Sequence, residues 1–159
     1  MSYSVSDSLA NFALDGVAAG LNGGRLFLFA GPVPLAPYDP LEMATEHTEL
    51  VVVSLDGAGG GLNFAPAVDG RLSKATIEVW KGQAAFNGAQ SGEAALVPTF
   101  FRFCAAGDNG RAGALLPRLQ GTVGAPGSGA DMERSPLEVN AGAVVRIDAF
   151  NAGMRSLAE

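Results

Sequence analysis

From Arg25 onward, the apolar stretches of this chain are short and end at glycine, proline or another turn residue. The longest, Leu26–Ala30 and Leu50–Val53, have the length of β-strands and fall well below the roughly 18 residues that a membrane-spanning helix needs. The 22 glycines and nine prolines among 159 residues supply the interruptions. This pattern predicts a fold made of many short strands.

Short segments bounded by turn residues and alternating between apolar and polar side chains are typical of strands. The predicted strands are Arg25–Ala30, Glu49–Leu55, Leu62–Ala65, Ala75–Trp80, Val97–Cys104, Arg118–Val123 and Ala143–Phe150. In one of them Ile77 and Val79 alternate with Thr76 and Glu78, which predicts two different faces. We therefore predict a mainly β fold, an antiparallel β-sandwich or jelly roll with one N-terminal α-helix, built as a single domain over residues 1–159.

Two turn signals refine this prediction. Asp108-Asn109-Gly110 is typical of a tight turn, because Asn and Gly both tolerate a positive φ. Asn140-Ala141-Gly142 predicts a late hairpin that joins Leu137–Val139 to Ala143–Phe150.

The segment Ser6–Leu21 is the one substantial predicted helix. Ser6 or Asp7 can cap its amino end, and Asn22-Gly23-Gly24 ends it. Apolar residues at helical spacing predict its packing stripe: Leu9, Phe12, Ala13, Val17 and Leu21. Whether this stripe covers the chain's own sheet or a neighbouring chain stays open.

Residues 31–48 form a proline-rich arm or loop, with four prolines between Gly31 and Pro40. Proline favours an extended, polyproline-like backbone. Such an arm can wrap its own domain or reach a neighbouring subunit, and both alternatives remain. Because Asp39 is the only charged residue in Gly31–Leu41, we predict that the contacts of the arm are mostly apolar.

Charge and composition exclude several classes of function. The formal net charge of −6 argues against nucleic acid as a partner, since phosphate binding relies on clustered Lys and Arg. Met1 to Asp7 contains no Lys or Arg, which argues against a secretion signal, and no membrane segment is predicted. One cysteine and one histidine exclude a disulfide framework and a Cys/His zinc site.

Gly57, Gly59, Gly60 and Gly61 follow a predicted strand and resemble a dinucleotide-binding turn. The fingerprint would need glycine where Leu62 stands, and a strand-and-turn pattern follows in place of a helix. We interpret this segment as a loop between strands and predict no cofactor.

A catalytic centre finds little support in the remaining side chains. His47 is the only candidate base, but Ser91 lacks the spacing of a nucleophile elbow, so we predict a surface histidine. Cys104 is predicted to be a buried, inert thiol. The remaining carboxylates considered lie near predicted turns and are not paired in sequence: Asp56, Asp69, Asp108, Asp131 and Glu133. No catalytic, cofactor-binding or metal-ligating residue is assigned, and the protein is predicted not to be an enzyme.

The larger aromatic residues are interpreted as core: Trp80, Phe100, Phe101, Phe103 and Phe150. Phe101 and Phe103 share one face of their strand, and Phe100 and Arg102 share the other. Phe100 and Val144 indicate that the second face is also partly apolar. Such a face is buried between layers or in a subunit interface, and we favour the interface.

The order of several short motifs resembles a family of small tailed-bacteriophage proteins encoded among virion structural genes. The motifs that carry this resemblance are Ser8-Leu9-Ala10-Asn11, Leu14-Asp15, Leu21-Asn22-Gly23-Gly24-Arg25-Leu26, Thr99-Phe100-Phe101-Arg102-Phe103, Gln120-Gly121-Thr122-Val123-Gly124, Gly129-Ala130-Asp131-Met132 and the Val139 to Phe150 segment. They are turn and core residues, and residues 31–48 match nothing in the pattern.

The resemblance implies a non-enzymatic virion protein made in the cytoplasm of the bacterial host. Its closest functional analogy is a capsid decoration (cement) protein that binds the major capsid protein on the outer surface of the head, as a homo-dimer or homo-trimer. The alternative is a tail, collar or fibre component that contributes to host attachment. A small cell-wall hydrolase or sugar-binding module is a third hypothesis, disfavoured by the missing catalytic residues.

Overall fold

A computed structural model describes residues 5–153, and residues 1–4 and 154–159 lie outside this range. Residues 1–4 belong to the Met1–Asp7 segment, in which no secretion signal is predicted. The elements are α1 (Asp7–Leu21), β1 (Arg25–Ala30), β2 (Thr48–Leu55), β3 (Arg71–Ser73), β4 (Trp80–Gln83), β5 (Asn87–Gly88), β6 (Ala95–Leu96), β7 (Phe100–Cys104), β8 (Arg118–Gly124), β9 (Met132–Glu133), β10 (Val139–Asn140), β11 (Val144–Ile147) and β12 (Asn151–Gly153). The predicted mainly β fold with an N-terminal helix is confirmed. Within the described range, no helix has the length and hydropathy needed to cross a membrane.

One large sheet organises the fold. Its strands follow the order β11-β4-β2-β1-β7-β8-β9, and β5 pairs with β2 beside this path. The pairing is antiparallel throughout except for β8 and β9, which are parallel. Two further pairs, β10 with β6 and β12 with β3, complete the described strands. The sheet curls, consistent with a sandwich-like or barrel-like architecture.

The central strands β1 and β7 are buried on both faces, because successive side chains point to opposite sides of a strand. One face contributes to the main core, with Leu26, Leu28, Phe101 and Phe103. The other forms a second cluster, with Phe27, Phe29, Phe100, Cys104 and Leu41. The predicted division of the Phe100–Phe103 side chains between two faces is confirmed, and all the aromatic residues predicted to lie in the core are buried.

Helix α1 has its predicted bounds, and Ser6 caps it by accepting a hydrogen bond from the backbone N–H of Leu9 (3.3 Å). The predicted packing stripe is wrong apart from Leu21. The buried residues are Ala10, Leu14, Ala18 and Leu21, whereas Leu9, Phe12 and Val17 are exposed.

Two polar side chains set this rotation of α1. The Asn11 and Asp15 Oδ1 atoms accept hydrogen bonds from the backbone N–H groups of Gly70 and Ala67, both at 2.8 Å. The flank of the helix that carries Asn11 and Asp15 therefore faces the loop before β3, and Leu14 and Ala18 face the chain's own core.

The predicted strands Leu62–Ala65 and Ala75–Trp80 are wrong. The first makes only isolated bridges at Leu62 and Phe64, and the second is a turn in which Ile77 is 94% exposed. The Glu78 carboxylate accepts hydrogen bonds from the Asn63 N–H and the Trp80 indole, which holds the segment in a turn. Burial alone would raise the pKa of Glu78, but these hydrogen bonds hold it below its ordinary value.

The predicted late hairpin is also wrong, although its turn forms. Ala143 N–H donates to the Asn140 carbonyl (3.0 Å), yet β10 pairs with β6 and β11 pairs with β4. The strand β4 lies between β2 and β11 because Gly82 leaves room: a Cβ there would stand 2.1 Å from the Val52 carbonyl oxygen. Two strands are shorter than predicted, because β7 begins at Phe100 and not at Val97, and β11 ends at Ile147 and not at Phe150.

Candidate functional site: a clamped proline ridge

The connection between β1 and β2 folds over the sheet of its own chain. We call residues 32–41 the proline ridge. The predicted extended course is wrong, because the connection turns at Ala36–Asp39 and again at Glu42–His47, each closed by backbone hydrogen bonds. Leu41 packs in the second cluster against the face that carries Phe100. The arm therefore contacts its own domain and covers the face predicted to be an interface, whereas Val144 is exposed. Contact of the arm with a neighbouring subunit stays a prediction.

Arg102 on β7 is the centre of the contact. Its side chain is fully buried, and its guanidinium donates to the backbone carbonyls of Asp39 (3.0 Å), Gly110 (2.6 Å) and Ala36 (3.3 Å). Its Nε also donates to the Gln120 Oε1 atom, at 2.9 Å. Prolines remove backbone N–H groups from the ridge, so its carbonyls need donors from elsewhere. The prediction of mostly apolar contacts is wrong, because arginine supplies these donors.

Two side chains of β8 extend this clamp. Gln120 lies opposite Arg102 in the strand register and donates to the Pro34 carbonyl (2.8 Å). Arg118, two residues earlier on the same face, donates to the Pro37 carbonyl (3.1 Å) and forks onto both carboxylate oxygens of Asp108 (2.5 and 2.8 Å). We call Arg102, Arg118 and Gln120 the clamp.

Burial controls the charges of this region. Burial, followed by the nearby Arg118 charge, lowers the pKa of the Arg102 guanidinium. Hydrogen bonds from Arg118 hold the pKa of Asp108 below its ordinary value. Burial, reinforced by Asp108, raises the pKa of the Cys104 thiol to about 12, and the prediction of a buried thiol is confirmed. In this site the Arg118 guanidinium is paired with a carboxylate, and the Arg102 guanidinium is bound by carbonyl groups. The Cys104 thiol stays protonated near neutral pH and is therefore a poor nucleophile.

Acid should weaken the ion pair between Arg118 of the clamp and Asp108, whose side chain is only 5% exposed. Because the folded pKa lies below the unfolded one, the Asp108–Arg118 pair stabilises the fold above the unfolded pKa and loses this contribution as pH falls through the folded pKa. We expect Asp108→Asn to lower the free energy of unfolding by about 1–2 kcal/mol at pH 7, and this difference to shrink below about pH 4.

Urea unfolding of both proteins at several pH values measures this difference. Asp148→Asn is the matched control, since the Asp148–Arg146 pair is exposed and should contribute little at any pH. A difference for Asp108→Asn that stays constant down to about pH 2 would contradict the assignment.

His47 is buried and not on the surface as predicted. Its Nε2 donates to the Pro32 carbonyl (2.8 Å), and its Nδ1 accepts from the Glu42 N–H (3.0 Å). Both ring nitrogens are thus used to hold the base of the proline ridge, and the ring edge packs on Phe100. This arrangement leaves neither nitrogen free to act as a general base.

The outer side of the ridge is apolar. Val33, Leu35 and Tyr38 are exposed, and the relative accessibility of Leu35 is 102%. The single charge of the ridge is tied down, because the Asp39 carboxylate accepts from the Ala36 N–H (2.9 Å). The clamp therefore presents a firmly held apolar surface to solvent.

The other candidate carboxylates accept backbone hydrogen bonds or lie in turns. Asp131 accepts from the Thr122 N–H (2.8 Å), and Glu133 accepts from the backbone of the Gly127–Gly129 loop. Asp56 and Asp69 adopt positive φ angles in turns. The glycines after β2 close a turn through a Leu55–Gly60 bridge, and no helix follows them in residues 62–153. Within residues 5–153, no group of three or more His, Cys, Asp or Glu is placed to hold a metal ion.

No protein-family model, curated protein or solved structure matches this chain.

Proposed function

We propose that this protein is a non-enzymatic virion structural protein, a decoration protein that binds the major capsid protein on the outer surface of a phage head and stabilises contacts between capsomers. The observation that carries the proposal is the proline ridge, in which the clamp holds a fully exposed Leu35. The motif resemblance to small phage virion proteins supports the same assignment.

The physical properties of the ridge suit lattice binding. A segment that is already ordered loses little conformational freedom when it docks, so more of its contact energy contributes to affinity. Exposed Leu, Val and Tyr side chains on such a segment are the kind of anchor that interfaces use. The net charge of −6 suits the outer surface of a capsid, away from packaged DNA.

We expect the purified protein to add to undecorated capsids and to raise their melting temperature. Leu35→Glu should weaken this binding by about 30-fold or more, because it places a charge at the most exposed apolar point of the ridge. Binding isotherms on undecorated capsids, with calorimetry of the same particles, measure both effects. Ile77→Glu is the matched control, since Ile77 is equally exposed but lies in a turn outside the ridge.

Two results would count against this function. If Leu35→Glu bound capsids with the affinity of the wild-type protein, the ridge would not be part of the interface. If the wild-type protein failed to bind capsids even at high concentration, the capsid would not be its partner. Labelling of intact particles separates the remaining possibilities, because signal on the tail would favour a tail, collar or fibre component.

A further inference from the structure

The solvent-facing side of α1 carries an uninterrupted apolar stripe, which we call the helix stripe. Its members follow helical spacing and are Leu9, Phe12, Ala13, Gly16, Val17 and Gly20. Phe12 is 78% exposed. Scattered exposed apolar residues are ordinary on protein surfaces, but a contiguous stripe indicates an interaction site.

The contacts of α1 with its own domain prevent a rotation that would bury the helix stripe in the core. Leu14 and Ala18 occupy the core on the opposite side, and the hydrogen bonds of Asn11 and Asp15 fix the rotation of α1. The helix is therefore apolar on two sides, and the domain itself covers only one of them. A helix with apolar residues on both sides is expected where a second protein surface packs against it.

We propose that the helix stripe is the contact surface between two copies of this chain, which pack their α1 helices antiparallel about a two-fold axis. The stripe is self-complementary in this orientation, because its two largest residues, Leu9 and Phe12, lie in the amino half and its two glycines lie in the carboxyl half. An axis at the middle of the helix places Leu9 opposite Gly20, Phe12 opposite Val17 and Ala13 opposite Gly16. A parallel pair would instead place Phe12 against Phe12 and leave a gap at the glycines.

Gly16 supports this contact independently. Glycine weakens a helix interior, so its presence on an exposed face calls for a reason. At Gly16 the domain provides none, since a Cβ there would meet no atom of the chain within 4 Å. A second helix that approaches closely does provide one, because the separation of packed helices depends on the size of the residues at the contact.

The surface continues beyond the helix. Pro117 lies against Gly20, with its Cβ 3.4 Å from the position of a Gly20 Cβ, and the adjacent Leu115 and Leu116 are exposed. In an antiparallel pair these leucines come beside the amino end of the partner helix. A contact made by one helix stripe and two leucines is small compared with permanent interfaces, so we expect a concentration-dependent dimer.

Charge determines how the contact should depend on salt. Each copy carries a net charge of −6, which opposes close approach of two copies at low ionic strength. The helix stripe contains no charged residue, and the Asp15 carboxylate is bound to the Ala67 N–H. Added salt should therefore strengthen the dimer, since screening weakens the repulsion and leaves the apolar contact intact.

Sedimentation equilibrium over a wide concentration range tests the proposal on the full chain. We expect wild-type protein to dimerise, and Phe12→Glu to raise the dissociation constant by about 100-fold. Leu35→Glu is the matched control and should dimerise like wild type, because Leu35 lies on the proline ridge. Circular dichroism of Phe12→Glu confirms that the helix is retained.

A wild-type protein that stays monomeric up to about 1 mM would overturn the proposal, and so would a Phe12→Glu variant that dimerises normally. Because the capsid assay responds to Leu35 and the dimer assay to Phe12, failure of one proposal leaves the other separately testable.

Disulfide trapping tests the orientation. An antiparallel pair places the two Leu9 residues about 16 Å apart along the helix axis, so Leu9→Cys alone should not cross-link. A mixture of Leu9→Cys and Gly20→Cys chains should form a mixed disulfide, and the native thiol does not interfere because Cys104 is buried. Efficient cross-linking of Leu9→Cys alone would overturn the antiparallel arrangement.

Discussion

Arg102→Met is expected to lower the free energy of unfolding by about 3 kcal/mol and the melting temperature by roughly 6–12 °C. Methionine fills a similar volume and removes the cost of burying a cation. It also leaves three carbonyls and the Gln120 Oε1 atom without their donors in a buried site. Each such unsatisfied group costs about 1–3 kcal/mol, and so the losses outweigh the gain.

Two further variants separate the geometry of Arg102 from its charge. Arg102→Lys keeps the charge, but a compact ammonium cannot span from Gln120 to Gly110, so we expect most of the destabilisation to remain. Arg146→Met removes an exposed arginine whose pair with Asp148 lies in solvent, and should change stability by less than about 0.5 kcal/mol. Thermal unfolding followed by circular dichroism measures all three.

A local readout shows whether the effect acts through the proline ridge. Chymotrypsin can cleave at Leu35 and Tyr38 only when the ridge leaves the sheet. We expect Arg102→Met to speed cleavage there at temperatures where the rest of the domain stays folded. A melting temperature within about 1 °C of wild type, together with unchanged cleavage, would show that the clamp does not hold the ridge.

The sequence was sufficient to predict that Arg102 lies beside Phe100 on one face of β7, because strand alternation is a local property. It was not sufficient to predict what covers that face. Two of the carbonyls that accept from Arg102 belong to Asp39 and Ala36, which lie 63 and 66 residues away along the chain and become its neighbours only in the fold. The third belongs to Gly110, eight residues away. A polar residue in the middle of an aromatic strand was the available signal that a carbonyl-rich segment packs there.

The helix illustrates a second limit of local patterns. Its bounds follow from Ser6 and from the glycines after Leu21, and these were predictable. Its buried side was not, because both sides of α1 are apolar and periodicity cannot rank them. Asn11 and Asp15 decide between the sides through hydrogen bonds to residues 67–70. The predicted strand at residues 75–80 fails for a similar reason, since the Glu78 side chain binds Asn63 and Trp80.

The other large expected effect concerns the junction of α1 and β1. Gly24→Ala should destabilise the protein by more than about 4 kcal/mol, enough to remove much of the stability of an ordinary domain. A Cβ at Gly24 would stand 1.9 Å from the Cys104 carbonyl oxygen and 2.8 Å from the Leu21 carbonyl oxygen. Both obstacles are backbone, so neither can rotate away as a flexible side chain would.

Relief by movement of Gly24 itself would break other contacts. Its N–H donates to the Leu21 carbonyl (3.0 Å), and its carbonyl accepts from the Leu62 N–H (2.8 Å). These bonds tie the end of α1, the start of β1 and the loop after β2 together. Separating β1 from β7 would instead disturb the pair Arg25 and Cys104 at the end of the central sheet. Each of these adjustments would therefore break hydrogen bonds in addition to disturbing the packing.

Gly16→Ala is the matched control, because it makes the same chemical change within the same segment. A Cβ at Gly16 meets open space, and alanine is the better helix former, so this variant should gain up to about 1 kcal/mol. Chemical denaturation at a dilute concentration, where association adds little to the apparent stability, should give opposite signs for the two variants. Equal effects at Gly16 and Gly24 would contradict a steric origin of the cost at Gly24, because only the Gly24 position is crowded.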